Sequence, residues 1–409
     1  MPEIRPFAGI RYRLPDAELA RVLAPPYDVI PPAYAQELTG RHSRNVVRLI
    51  LNPTESDAGY DAAGASFRAW LQDGTLAADE EPALYLLEQA FDVEGVGFVR
   101  RGLITRFRAE EPERGAILPH EHTRKAARED RYRMLSATRA NFSPIFLMFP
   151  DVAGRFAAQA ARVTREEPLA RYTDDGGVRH SLWRISEDAA VTELTAHLAA
   201  VKVYIADGHH RHATALRRRD EVGADGAWTL GYFTPIDDPG LVVLPYHRIL
   251  KSAPNLASAR SKLASYFDLA STEGPDALAR AVATSHAPYA FGLCAPSGEG
   301  LLAEARPQAA ALLPADAAAC LRALDTHFLH RAVLSPLLGV ADDAIDYVHS
   351  LSEARQALAA GRAALALLLR PTPVRQIVDV ADARESMPAK STFFHPKLPS
   401  GLVIHPLVA

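Results

Sequence analysis

The stretch 202–216, KVYIADGHHRHATAL, reads as a strand, a turn and the opening of a helix. KVYIA (202–206) is a compact apolar run that suits a buried strand. Asp207 and Gly208 supply the turn. HHRHATALRRRDE follows, with Ala213 and Leu216 on one side at helical spacing. A strand that passes through a glycine turn into a helix aims the backbone N–H groups of the first helical turn beyond the strand end. Those donors and the helix dipole favour an anion. Arg211 adds a forked donor that fits a phosphate. The plainer alternative makes Asp207 a helix cap beside solvated histidines. A metal is the third possibility, because His209 and His212 are three apart and can share a helix face. The HExxH pattern is missing, however, and no cysteine stands nearby, so no metal ligand is assigned.

Outward from this stretch, the bulk properties restrict the function. The 409 residues exceed what one ordinary core serves, which favours two domains or one elaborated one. A net charge of −4 gives no global field for nucleic acid and argues against such a partner. Cys294 and Cys320 are too far apart for a thiolate zinc site or a disulfide framework, which suits a reducing compartment. The N-terminus lacks a signal-peptide core, and the longest apolar run, AALALLL from Ala363, is too short to span a bilayer. A cytoplasmic protein without a membrane partner is expected.

The first half alternates strand and helix patterns. NVVRLIL (45–51), ALYLLEQAF (83–91), FVRRGLITRFR (98–108), SPIFLMF (143–149), SLWRI (181–185) and WTLGYFTPI (228–236) read as strands. A hairpin is expected where VEGVG separates the second from the third. Helices are expected at 57–72, 121–139, 188–200 and 209–221. Beyond residue 255 alanine and leucine become dense. That segment reads as helix-rich, with AFGLCA and LLAEAR forming a hairpin between helices. The expected organisation is a nucleotide-binding or catalytic domain at 1–255, an Ala/Leu-rich α/β subdomain at 256–385, and a segment at 386–409 that crosses back. The fold class is α/β with a mixed sheet.

Three further segments carry chemistry. In LPHEHTRKAARED, His120, His122, Thr123 and Arg124 cluster at the expected helix start and form a second anion contact. The mixed charges beyond them read as a solvated, salt-bridged helix. In LAPPYDVIPP (23–32) prolines fix an extended approach to Tyr27 and Asp28. Asp28 is either the cap of the next helix or a functional carboxylate, as general base or metal bridge. In MPAKSTFFHPK, Lys390 and Ser391 sit in a loop that is not a P-loop but could contact phosphate.

RPFAGIRY, APPYDVI, NVVRLIL, HEHT, EDRYRML, ATRANFSPIF, YIADGHHRHATAL, DPGLVVLPYHRI and MPAKSTFFHPKL occur in this order. Together they resemble the DUF1015 family over nearly the whole chain. The ADGHHR segment is also similar to the signature of the ParB/sulfiredoxin-like superfamily, and to that of free serine kinases in particular. The resemblance implies a nucleotide-binding core in which Asp207, Gly208, His209, His210 and Arg211 form the phosphate and catalytic turn. It implies ATP or ADP with Mg²⁺ as cofactor and a small hydroxyl compound, with free L-serine as the model, as acceptor. Asp28 is the counterpart of an N-terminal acidic base. His120, His122, Thr123 and Arg124 would flank the phosphates, and Lys390 and Ser391 would close the pocket. Sulfiredoxin's cysteine has no match here, which counts against a sulfinic-acid reductase. The competing expectations are a regulatory nucleotide-binding protein and a ParB-like nucleotide hydrolase or nuclease.

Overall fold

Most branched and aromatic runs of the first half line up as strands because they bury side chains on the faces of one sheet. The computed structural model describes residues 2–52, 54 and 56–407. Contacts divide the chain into two units. The first holds the chain up to Pro119, Thr123–Val242 and the residues from Pro396 on. The second holds His120–His122 and Val243–His395.

The first unit is built on a nine-stranded mixed sheet. Its strands are Ile4–Arg5 (β1), Leu84–Val93 (β2), Val96–Arg108 (β3), Ile117–Leu118 (β4), Ile145–Phe149 (β5), Ala170–Thr173 (β6), Arg179–Ile185 (β7), Val203–Asp207 (β8) and Trp228–Pro235 (β9). They run in the order β4-β8-β5-β9-β3-β2-β7-β6, with β1 paired to β3. β8 is parallel to β4 and antiparallel to β5, while β5 is parallel to β9. The expected hairpin is present: Val93 pairs Val96, and Glu94 and Gly95 both take positive φ. That is the backbone of a two-residue turn matched to strand twist. Phe107, Ile145, Leu147, Ile205 and Phe233 meet in one buried cluster of the sheet's core.

Helices of this unit include Val47–Ile50 (α1), Asp57–Gln72 (α2), Lys125–Thr138 (α3), Asp188–Ala199 (α4) and His209–Val222 (α5). Two expectations change. NVVRLIL is not a strand: Val47–Ile50 is a short helix. The Asn45 side chain accepts the Val47 N–H at 2.9 Å and donates to Arg21 O at 2.8 Å, which favours a turn over an extended run. The helix expected from 121 begins only at Lys125, with Arg124 at its N-cap. Glu121 instead makes a parallel bridge with Met387, and His120 O accepts the Met387 N–H at 2.8 Å. That extended pairing keeps residues 120–122 out of the helix.

The second unit contains more sheet than its alanine-rich sequence led us to expect. Its strands are His247–Leu250 (β10), Phe267–Glu273 (β11), Ala290–Cys294 (β12), Glu299–Ala305 (β13), Ile345–Val348 (β14) and Leu365–Leu369 (β15). They form a six-stranded sheet in the order β11-β13-β12-β15-β10-β14. β12 and β13 are the expected hairpin. The AALALLL run becomes β15, buried along its whole length in the middle of the sheet. Such a run carries no period by which helix and buried strand differ. Among the described residues no helix is long and apolar enough to cross a membrane.

Candidate functional site

The site is assembled where β8 ends. Ile205 pairs with Leu147 and Asp207 with Phe146, so the register slips by one residue at Ala206. Such a bulge re-aims the side chain that follows it. Gly208 then takes φ +97° as N-cap of α5, a conformation that favours glycine. The first helical bond runs from His212 N–H to Gly208 O at 3.0 Å. The amides of His210 and Arg211 precede that bond and have no acceptor in the helix. Asp207 is not a helix cap, since no side chain caps α5.

The Asp207 carboxylate lies between two cations. Arg211 Nη2 is 2.9 Å from one oxygen and Lys397 Nζ is 3.2 Å from the other. Burial pushes this carboxyl up, but Lys397 and Arg211 outweigh it and hold it well below the usual range. Arg211 also donates through Nη1 to Pro144 O, and its Nε is buried without a hydrogen-bond partner. Lys397 is held in turn: Gln89 Nε2 donates to Lys397 O at 3.2 Å. The fully buried Arg100 donates to Pro396 O at 2.6 Å and to Gln89 Oε1 at 2.5 Å.

His210 Nε2 accepts the Arg124 backbone N–H at 3.0 Å, which places the imidazole proton on Nδ1. Burial and the Arg124 charge lower its pKa, while Asp28 acts the other way. Asp28 is exposed in the turn Tyr27–Val29. It does not cap the following helix, whose N-cap Pro31 has no side-chain bond. The Tyr27 hydroxyl is pushed up to about 12 by burial and Asp28, against Arg131 and Arg211. The Arg131 guanidinium sits 3.8 Å over the Tyr27 ring. A cavity of about 60 Å³ opens beside Arg211, walled by Tyr27, Ile50, Arg131, Met134 and Phe142.

Of the residues singled out in the sequence, Asp28, Arg124, Asp207, Gly208, His210 and Arg211 bear on one another in the first unit. Thr123, next to Arg124, belongs to the same unit. His209 is buried at the first position of α5, and His212 is buried one turn along. Burial and Arg219 lower the His212 pKa to about 4, so it is neutral. Among the described residues no group of three or more His, Cys, Asp or Glu could hold a metal. His120, His122, Lys390 and Ser391 belong to the second unit. There His120 Nε2 is 3.4 Å from Thr392 Oγ1, and Ser391 Oγ donates to Pro388 O at 2.6 Å. Sequence reading missed Lys397. Its one signal was its place in the HPK triplet that ends the Lys390 segment.

Solved structures with similarity to the chain include a conserved hypothetical protein from Pyrococcus furiosus, 12% identical over 69% of this chain and 90% of that one, TM-score 0.35. A free serine kinase in complex with AMP is 13% identical over 69% of this chain and 87% of that one, TM-score 0.33. SbnI with a C-terminal truncation, from Staphylococcus aureus, is 10% identical over 74% and 87%, TM-score 0.36. No curated protein matches the chain. Residues 4–327 match the family described as protein of unknown function DUF1015, and this chain belongs to that family.

Proposed function

We propose that the protein binds a nucleotide through its terminal phosphates at the start of α5 and transfers a phosphoryl group to a small hydroxyl compound. One observation carries this: two cations, Arg211 and Lys397, meet at one helix start around a single carboxylate. Phosphoryl transfer needs chiefly positioning and charge compensation, and such an arrangement supplies both. The amides of His210 and Arg211 would cradle the phosphates after Gly208. Arg211 and Lys397 would take up charge on the transferring group, and Arg124 would flank it. Asp207, held ionised between the two cations, acts as their positioning residue rather than as a base.

Asp28 is the open carboxylate that bears on His210 and serves as general base. The acceptor oxygen bonds to phosphorus as the bond to the leaving nucleotide oxygen breaks, and the hydroxyl proton passes to Asp28. His210, neutral and fixed by the Arg124 amide, donates through Nδ1–H to the phosphoryl oxygens. Mg²⁺ fits only in part, because Asp207 is taken up by Arg211 and Lys397, which leaves Asp28 as the exposed carboxylate at this site. It would be held mainly by the nucleotide's own phosphates and would neutralise their charge. The cavity of about 60 Å³ beside Arg211 is where the acceptor would sit. The DGHHR-type turn shared with free serine kinases makes free L-serine the first acceptor to try.

Phosphorus NMR of the protein with ATP or ADP, Mg²⁺ and serine, followed by other small alcohols, tests the proposal. A new phosphoester resonance is the expected result. Tight nucleotide binding without any phosphoester would overturn the transfer step and leave a nucleotide-binding switch. Release of inorganic phosphate alone would make the protein a hydrolase.

A further inference from the structure

The second unit buries a cation that the proposed reaction does not use. Arg248 stands on β10 and is fully buried. Its hydrogen bonds go to the Tyr246 carbonyl and, through Nη2, to Lys390 O at 3.3 Å, with His330 Nε2 also 3.3 Å away. The Tyr347 ring lies 5.4 Å from the guanidinium, and Nε has no hydrogen-bond partner. Among the described residues no carboxylate pairs with it. An uncompensated buried charge is strongly unfavourable, and groups of this kind gather at functional sites. Burial pushes the guanidinium down to about 10, and burial together with Arg248 holds His330 near 4. His330 is therefore neutral, with its Nε2 lone pair turned to Arg248.

Lys390 is a second cation of the same cluster. It is half-buried and, among the described residues, has no carboxylate partner either. Its backbone sits at φ +60°, a left-handed conformation that is costly for a lysine. The strain is held in place from several sides. Arg248 grips its carbonyl, and Ser391 Oγ binds Pro388 O and stands 3.1 Å from Thr326 Oγ1. Thr372 Oγ1 donates to Ser391 O at 3.0 Å. The Lys390 ammonium is thereby kept 5.0 Å over the Tyr246 ring and 3.5 Å from its hydroxyl.

We propose that Lys390 and Tyr246 form an anion site in the second unit, with Arg248 beneath them, and that its ligand is a phosphate group. Two cations without carboxylates suit a dianion better than a single carboxylate. Lys390 and the Tyr246 hydroxyl donate to the phosphate oxygens. Arg248 acts through its field and by fixing the Lys390 backbone.

Calorimetric titration of the full chain at low ionic strength tests this, with inorganic phosphate as probe and with Arg211→Met, Lys390→Met and Tyr246→Phe variants. Arg211→Met silences the candidate site at α5 and should retain phosphate binding. Adding Lys390→Met should weaken it roughly tenfold, the loss of about one charge-assisted hydrogen bond. Tyr246→Phe, which leaves the charge in place, should weaken it less. Phosphoserine and AMP, titrated in the same way, separate the sources. Tighter binding of either ester that depends on Lys390 supports the site with an esterified ligand, and binding of phosphate alone supports it with the free ion. Phosphate affinity that survives Lys390→Met, or that disappears with Arg211→Met, overturns the proposal, as does a wild-type protein that binds none of the three.

Discussion

Lys397 Nζ lies 3.2 Å from Asp207 Oδ1, although 190 positions separate the two residues. The pair joins the last segment of the chain to the end of β8. Both side chains are largely withdrawn from water, at 11% and 22% exposure, so their attraction is only partly screened. Arg211 gives Asp207 a second cation, which limits the damage when one is lost.

Lys397→Met should therefore destabilise the protein by about 2 kcal/mol, below the range for leaving a buried charge wholly unpaired. Asp207→Asn should do similar harm, because it leaves two cations facing a neutral amide. The double variant should be more stable than the sum of the single losses predicts, by about 1 kcal/mol or more. Urea unfolding of the four proteins measures this coupling. Strict additivity would show that the two groups do not interact in solution.

Gly208→Ala tests the turn. At φ +97° a side chain is strained, and a Cβ there would stand 3.0 Å from the Arg211 guanidinium. The backbone cost is about 1–2 kcal/mol. Arg211 can swing aside, but doing so loosens its hold on Asp207. We expect a modest loss of stability and a larger loss of nucleotide affinity, read by titration with a fluorescent nucleotide. A stability loss with unchanged affinity would move the phosphate site away from α5.

The strand–turn–helix around Gly208 was legible because each part carries a local signal: an apolar run, an Asp-Gly pair and helical spacing. The hairpin at Glu94 and Gly95 was legible for the same reason. Lys397 was not, since its role depends on where the chain returns after nearly two hundred residues. Neither was the helix at Val47–Ile50, where hydrogen bonds from the Asn45 side chain override a run of branched residues. Arg248 reads in sequence as an ordinary polar position of a strand. Its burial without a carboxylate is a property of the assembled second unit.

His210 should stay neutral across the working pH range of the site. Burial and Arg124 hold its pKa below the ordinary value, and the Arg124 N–H occupies the nitrogen that a second proton would need. Turnover should stay flat from high pH down through about 6.5, the pKa of a free imidazole, and fall only in stronger acid. His210→Ala should lower turnover by roughly a hundredfold, the usual scale for losing one hydrogen-bond donor to the transferring group, and barely move thermal unfolding. A His210-dependent acid limb at or above the free-imidazole value would show that the site does not hold His210 neutral.

Acid should also unfold the protein early, and His212 supplies part of the reason. Burial, reinforced by Arg219, lowers its pKa to about 4 in the native state. In the unfolded chain the same imidazole takes up a proton near about 6.5. Between these two values the unfolded state binds more protons than the native one, so stability falls as the pH falls through this window. Below about 4 both states are protonated and the contribution levels off. The displacement is worth on the order of 3 kcal/mol when fully expressed. Asp207 does not blur the measurement, because the stability it gives is lost only below the unfolded carboxyl's pKa of about 3.9, under the lower pH used, and it is common to both proteins. Urea unfolding at pH 7 and pH 4.5 should show a smaller acid loss for His212→Gln than for the wild type, by about 2 kcal/mol. Equal losses in the two proteins would mean that native His212 accepts a proton as readily as the unfolded chain does. The first turn of α5 would then open to water in acid, and the phosphate site built on it would open with it.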